Sequence, residues 1–237
     1  MTLSGRFAIV RLHTVKTQNY KHMRTKALLC AAALAAGAVT SMAQSNVYSL
    51  NVVGYVNTTL AGGGTLGKFQ MIANPLNTTN NTIGSLMPSA PDGTVLYKFN
   101  GTSFDIATSL GGWDHPEFTL KPGEGAIVNS PNNWTNTFVG EVLQGTLANP
   151  YPAGFSIRAS QIPLAGTLTA LQLPASQLQD GDVVYQFNTT TQAYDIYTLL
   201  GGSWVGGPLT EPTLAVGEAL WLQPQAGGTW NQTFTVQ

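Results

Sequence analysis

Five blocks of sequence occur twice in the same order, and no other feature narrows the fold as far. FQMIANPLN from Phe69 is answered by FSIRASQIP from Phe155, DGTVLYKFN from Asp92 by DGDVVYQFN from Asp180, and FDIATSLGG from Phe104 by YDIYTLLGG from Tyr194. TLKPGEG from Thr119 returns as TLAVGEA from Thr213, and WTNTF from Trp134 as WNQTF from Trp230. The offsets are 86, 88, 90, 94 and 96 residues, so the order is kept while the spacing only grows. A unit copied once, with small loop insertions in the second copy, produces such a series. VGYVNTTL at Val53 also resembles VGEVLQGTL at Val139, which places the copies at residues 46–138 and 139–237.

The pattern inside each copy is β. In TVLYKFN, Val95, Tyr97 and Phe99 alternate with Leu96, Lys98 and Asn100, the period of a strand with one buried face. Asn100-Gly101 then reads as a two-residue hairpin turn. That turn sets Phe99 opposite Thr102, Tyr97 opposite Phe104 and Val95 opposite Ile106, with the apolar set facing inward. The second copy lengthens this turn to NTTTQA and keeps Tyr185 and Ile196 inward. Further strands are expected at 47–56, 68–73, 125–129, 134–142, 155–160, 182–188, 218–223 and 230–236, and short helical turns at Thr82 and Thr169. The expected fold is all-β: two tandem homologous β-sandwich or small-barrel modules of about 90 residues, joined about a pseudo-twofold axis.

The amino-terminal region reads as a leader. Arg24 and Lys26 precede an apolar run from Ala27 to Val39, and Ser41-Met42-Ala43 supplies small residues before Gln44. That is the layout of a signal peptide over 23–43, with 1–22 upstream of a start at Met23. Cys30 lies in the apolar run after Leu28-Leu29, which disfavours a lipid anchor and leaves the exported chain without a thiol. Six of the 10 basic residues and none of the 11 acidic ones fall within 1–43, so the exported chain carries 4 − 11 = −7. Its scattered cations, Lys68, Lys98, Lys121 and Arg158, do not suit a polyanion, which excludes nucleic acid as a partner. No second apolar run of membrane length follows. Without disulfides, the stability of the fold rests on its apolar core.

Three stretches together resemble a group of uncharacterised secreted bacterial proteins built of tandem β-rich repeats. These are MIANP (Met71 to Pro75), LYKFNGTSF (Leu96 to Phe104) and KPGEGAIV (Lys121 to Val128). They supply an Asn-Pro strand end, an aromatic hairpin and a Pro-Gly-x-Gly turn. The second copy departs from the pattern, with Ser160-Gln161 for Asn-Pro and Ala219 for Gly125. The resemblance implies export and β architecture, and no activity.

Each candidate site has a structural alternative. Gly123 and Glu124, with Gly217 and Glu218, read as a phosphate loop or as a strand-to-strand turn, and the strands that follow favour the turn. The recurrent acids Glu124 and Glu218, and Asp105 and Asp195, invite an acid–base pair. The fingerprint of an aspartic dyad is missing, and Glu124 is expected to accept backbone N–H bonds instead. His115 is the sole histidine after Ala43, and with Asp114 and Glu117 it forms at most a weak cation site; Asp180 and Asp182 show no calcium ladder. Trp113 and Trp204 follow Gly-Gly pairs in matching loops; beside Asp114 they would stack a sugar ring, or else cap the end of the fold. No pattern calls for a cofactor. The expected role is an exported, non-enzymatic structural or adhesion module of the cell envelope or matrix. The alternatives are a carbohydrate-binding module, with polysaccharide or envelope components as partners, and a glycosidase-like enzyme with paired carboxylates.

Overall fold

The first half contributes β1 (Val53–Leu60), β2 (Lys68–Ala73), β3 (Val95–Phe99), β4 (Phe104–Thr108), β5 (Gly125–Ser130) and β6 (Trp134–Glu141), with a 3-10 turn at Gly64–Leu66 and one short α-helix, α1 (Ile83–Leu86). The second contributes β7 (Gly145–Tyr151), β8 (Ser156–Arg158), β9 (Gly166–Thr167), β10 (Val183–Asn188), β11 (Ala193–Leu200), β12 (Ser203–Gly206), β13 (Thr213–Leu214), β14 (Leu220–Gln223) and β15 (Gly228–Phe234). This computed structural model describes residues 52–236. The expected early start, the signal peptide and the first residues of the strand at 47–56 lie outside the described residues.

The protein is all-β, in several open sheets that do not close into a barrel. One sheet runs β2-β5-β3-β4 and another β8-β14-β10-β11-β12. Beside them lie the two-stranded ribbons β1-β6 and β7-β15 and the small pair β9-β13. The register across the two large sheets is the same. Met71, Ile127, Tyr97 and Ile106 lie side by side across the first sheet. Ile157, Trp221, Tyr185 and Ile196 do so across the second. Val139 sits in β6 opposite Tyr55 of β1, and the strand that stands to β15 as β1 stands to β6 is β7. The chain passes from the first ribbon to the second between Glu141 and Gly145.

Each half has a core on one face of its large sheet. Ile72, Leu96, Ala107 and Val128 pack with Leu60 and Phe138 from the ribbon and with Ile83, Leu86 and Met87 from the helical turn. Val184, Tyr197, Leu220 and Leu222 pack with Tyr151 and Trp230 in the second half. A third cluster, Met71, Ala73, Ile157, Ala159, Phe187 and Ala219, draws on both sheets and lies on their other faces.

Two expectations about the hairpin are corrected. Phe99 pairs with Phe104, Tyr97 with Ile106 and Val95 with Thr108, a shift of two residues that leaves a four-residue loop over 100–103. The Asn100 carboxamide oxygen accepts the N–H groups of Thr102 and Ser103 at 3.2 and 2.9 Å, and this local cap replaces the tighter turn. The buried face is also the other one. Leu96 and Ala107 are buried, while Ile106 is 49% exposed; in the second half Val184 and Tyr197 are buried and Ile196 is 47% exposed. Both strand faces carry apolar side chains, so alternation alone does not choose between them. Lys98, on the core side, leaves that core at the sheet's end to reach Glu124.

Candidate functional site

The repeated Gly-Glu turn is where the halves meet. The Ala73 N–H donates to the Gly217 carbonyl at 2.8 Å, and the Ala159 N–H donates to the Gly123 carbonyl at 3.1 Å. Ile72 forms an antiparallel bridge with Glu218, and Arg158 forms one with Glu124. Ala73 and Ala159 are 86 residues apart, Gly123 and Gly217 are 94 apart, and so the two contacts are reciprocal. Each turn closes on the edge strand of the other half. Gly123 and Gly217 hold φ of +92° and +80°, where a side chain is strained, which accounts for glycine in both.

The recurrent carboxylates serve these turns. Glu124 Oε2 accepts the Lys121 N–H at 3.0 Å and pairs with Lys98 Nζ at 3.1 Å. Glu218 Oε2 accepts the Ala215 N–H at 2.8 Å. At the position of Lys98 the second half has Gln186, so Glu218 lacks that cation. Burial pushes the Glu218 carboxyl above the ordinary range, against the Ala215 and Gln186 hydrogen bonds that favour its ionised form. Burial likewise lowers the Arg158 guanidinium, opposed by the charge of Glu124. The two acids line different clefts, of about 180 Å³ beside Glu124 and about 320 Å³ beside Glu218.

The other polar candidates are engaged in local hydrogen bonds. Asp105 accepts from Asn100 Nδ2 at 3.1 Å, and Asp195 accepts from Asn188 Nδ2 at 3.2 Å. Asp182 accepts the N–H groups of Gln179 and Gln225, and Asp180 those of Gly201 and Gly202. His115 and Glu117 form an exposed pair at 3.2 Å. Among the described residues no group of three or more His, Cys, Asp or Glu side chains is placed to hold a metal ion.

The loop tryptophans are not a free platform. Trp113 is 9% exposed in the first core, and its indole N–H donates to the Met87 carbonyl at 2.8 Å. The chain doubles back at Gly111-Gly112, so Trp113 bridges to Ser109 and turns inward. Trp204, on β12, is partly buried against the second core. Asp114 accepts the Thr108 N–H at 2.7 Å. Of the two readings of Trp113, its position fits the cap and withholds the ring face that sugar stacking needs.

The exposed aromatic surface lies elsewhere, on the sheet faces away from the cores. Phe69, Phe104, Phe155 and Tyr194 are each about 40% exposed there, beside Ile106 and Ile196. Ring geometry is repeated between the halves. Tyr97 and Phe104 stand edge to face at 6.2 Å and 87°, and Tyr185 and Tyr194 do so at 6.3 Å and 87°. Phe99–Phe104 and Phe187–Tyr194 are 5.4 and 5.1 Å apart. A groove of about 410 Å³ opens in this face, lined by Phe69, Tyr97, Phe104, Ile127, Phe187 and Tyr194. The Gln192 carboxamide fixes one rim, accepting the Phe69 N–H at 2.9 Å and donating to its carbonyl at 3.1 Å. The recurrent Tyr-x-Phe and Phe/Tyr-Asp-Ile blocks mark this face in the sequence, but their alternation reads equally well as an interior face.

No family model, no curated protein and no solved structure matches the chain.

Proposed function

We propose that the chain is an exported, non-enzymatic structural or adhesion module of the cell envelope or extracellular matrix, made by doubling one β unit. The observation that carries this reading is the use to which the recurrent residues are put. Glu124 and Glu218 each accept an N–H of their own turn, and each turn bonds the edge strand of the other half. Catalytic carboxylates would converge on one cleft, and these line two. The shared register of the large sheets and the matching ring pairs support the doubling. Among the described residues no helix is long and apolar enough to cross a membrane. The leader-like segment before Gln44 supports export.

Fractionation of bacterial cells expressing the full chain tests the reading. A product beginning at Gln44, retained in the envelope or matrix fraction, is the expected result. An uncleaved product in the cytoplasm would contradict export. Hydrolase activity on a polysaccharide panel, lost in Glu124→Gln or Glu218→Gln, would contradict the non-enzymatic role.

A further inference from the structure

We propose that the groove lined by Phe69, Tyr97, Phe104, Ile127, Phe187 and Tyr194 is a binding site for a free, neutral, planar aromatic molecule of indole size. The protein fills the matching position in its other half with an indole of its own. At offsets of 86, 88, 90 and 94 residues, Phe69, Tyr97, Phe104 and Ile127 correspond to Phe155, Tyr185, Tyr194 and Trp221. The walls supplied by the opposite half, Phe187 and Tyr194, correspond to Phe99 and Phe104. Around Trp221 that set of rings closes. Its centroid lies 5.0 Å from Phe99, 5.8 Å from Phe155 and 6.1 Å from Phe104, each in an edge-to-face arrangement. Its indole N–H donates to the Tyr194 hydroxyl at 3.2 Å. Around Ile127 the same walls stand open. The aliphatic side chain leaves the volume that an indole takes in the other half.

The chemistry of the walls defines the ligand. Edge-to-face and offset ring contacts add to the gain from area burial, so a slot walled by five rings favours a flat ring over a branched chain. None of the six lining residues is charged, so a charged group entering the groove would meet no counter-ion there. The position that offers a hydroxyl to Trp221 is Tyr194, and its counterpart is Phe104, which offers none. Recognition therefore rests on the ring and not on an N–H donor at that point. A cavity of about 150 Å³ suffices for benzene, and pockets for larger ligands start near 300 Å³. The open groove, at about 410 Å³, has room for a bicyclic ring. This site rests on the doubling proposed above but is independent of export and of the non-enzymatic role, and its failure would leave both of those standing.

Titration of the intact exported chain with indole and with N-acetyltryptophanamide, followed by calorimetry and ligand-observed NMR, tests the site. Saturable binding of indole at one site per chain is expected. Indole binding that N-acetyltryptophanamide does not exceed identifies a free aromatic molecule; tighter binding of N-acetyltryptophanamide would assign the groove to a tryptophan side chain on a partner and overturn the proposal. Ile127→Trp fills the groove, keeps the fold and weakens binding by about tenfold or more, which is about 1.4 kcal/mol. Trp221→Ile opens the matching groove and raises the count from one site to two. The Ile127→Trp comparison is decisive even where Trp221→Ile folds poorly. Absence of saturable indole binding would overturn the proposal, as would unchanged affinity in a folded Ile127→Trp variant. A wild-type dimer that becomes monomeric in Ile127→Trp would assign the groove to a second copy of the chain, and would overturn it too.

Discussion

Gly125 and Ala219 face each other where the two halves meet. A methyl group on Gly125 would stand 2.4 Å from the Ala219 methyl and 2.4 Å from Ile157 Cγ2. The two positions are 94 residues apart in corresponding turns, and the junction has room for one side chain of that size. The difference between Gly125 and Ala219 is therefore a packing solution at this junction.

Gly125→Ala therefore destabilises the protein by about 1–3 kcal/mol through overpacking. Equilibrium urea unfolding measures it. Ala219→Gly added to Gly125→Ala recovers part of the loss and no more, because Ile157 is crowded in either background. A Gly125→Ala variant as stable as the wild type would mean that the halves are not in contact here.

Phe187→Ala removes a ring that packs between Met71, Ala73 and Ile157 of the shared cluster. The expected cost is about 3–5 kcal/mol. Because this cluster draws on both sheets, the loss lowers a single thermal transition. Calorimetry that resolved two transitions, with only the second half shifted, would contradict a shared junction.

Burial raises the Glu218 carboxyl above its ordinary value of 4.5. The folded state then holds the proton to higher pH than the unfolded state. Stability from this group is complete below the ordinary value and is lost as pH rises through the folded one. Glu218→Gln removes that loss. It is expected to be at least as stable as the wild type at pH 7, with its advantage shrinking to nothing as pH falls below the ordinary glutamate value. Urea midpoints of both proteins from pH 3 to pH 8 measure the difference. An advantage that grew on acidification would have the wrong sign.

Trp113→Phe keeps a ring in the first core and deletes the donor to the Met87 carbonyl. The Met87 carbonyl keeps only the long bond from the Ala90 N–H at 3.4 Å, and loss of the indole bond costs about 0.5–1.5 kcal/mol. Polysaccharide retention is unchanged by the substitution, since the ring is not on the surface. Retention lost while stability was kept would restore the sugar-stacking role.

Much of the architecture can be read from the chain, strand by strand. The stretch at 68–73 coincides with β2, and those at 125–129 and 134–142 differ from β5 and β6 by single residues. These runs are bounded by Gly, Pro or Asn, so their limits are local. The face of the hairpin is not local. Leu96 and Tyr97 are both apolar, and only the arrival of α1 and the β1-β6 ribbon makes the Leu96 side the interior. The aromatic groove shares this limit, because alternating rings fit an interior face as well as an exposed one. Trp113 and Trp204 misled for a related reason: a position after Gly-Gly reads as an exposed loop, whereas the turn folds Trp113 back onto β4. The Gly-Glu turn is legible as a turn from its glycine. Its partner strand, in the other half, leaves no trace in local sequence.

The bonds from Ala73 to Gly217 and from Ala159 to Gly123 are the most direct test of the doubled, mutually clasped fold. Native-state hydrogen exchange reads both amides. A reciprocal clasp within one cooperative unit predicts that the Ala73 and Ala159 amides exchange only on global unfolding, with the same free energy as the amides of β3 and β10. Rapid exchange at Ala73 and Ala159, while β3 and β10 stay protected, would contradict it.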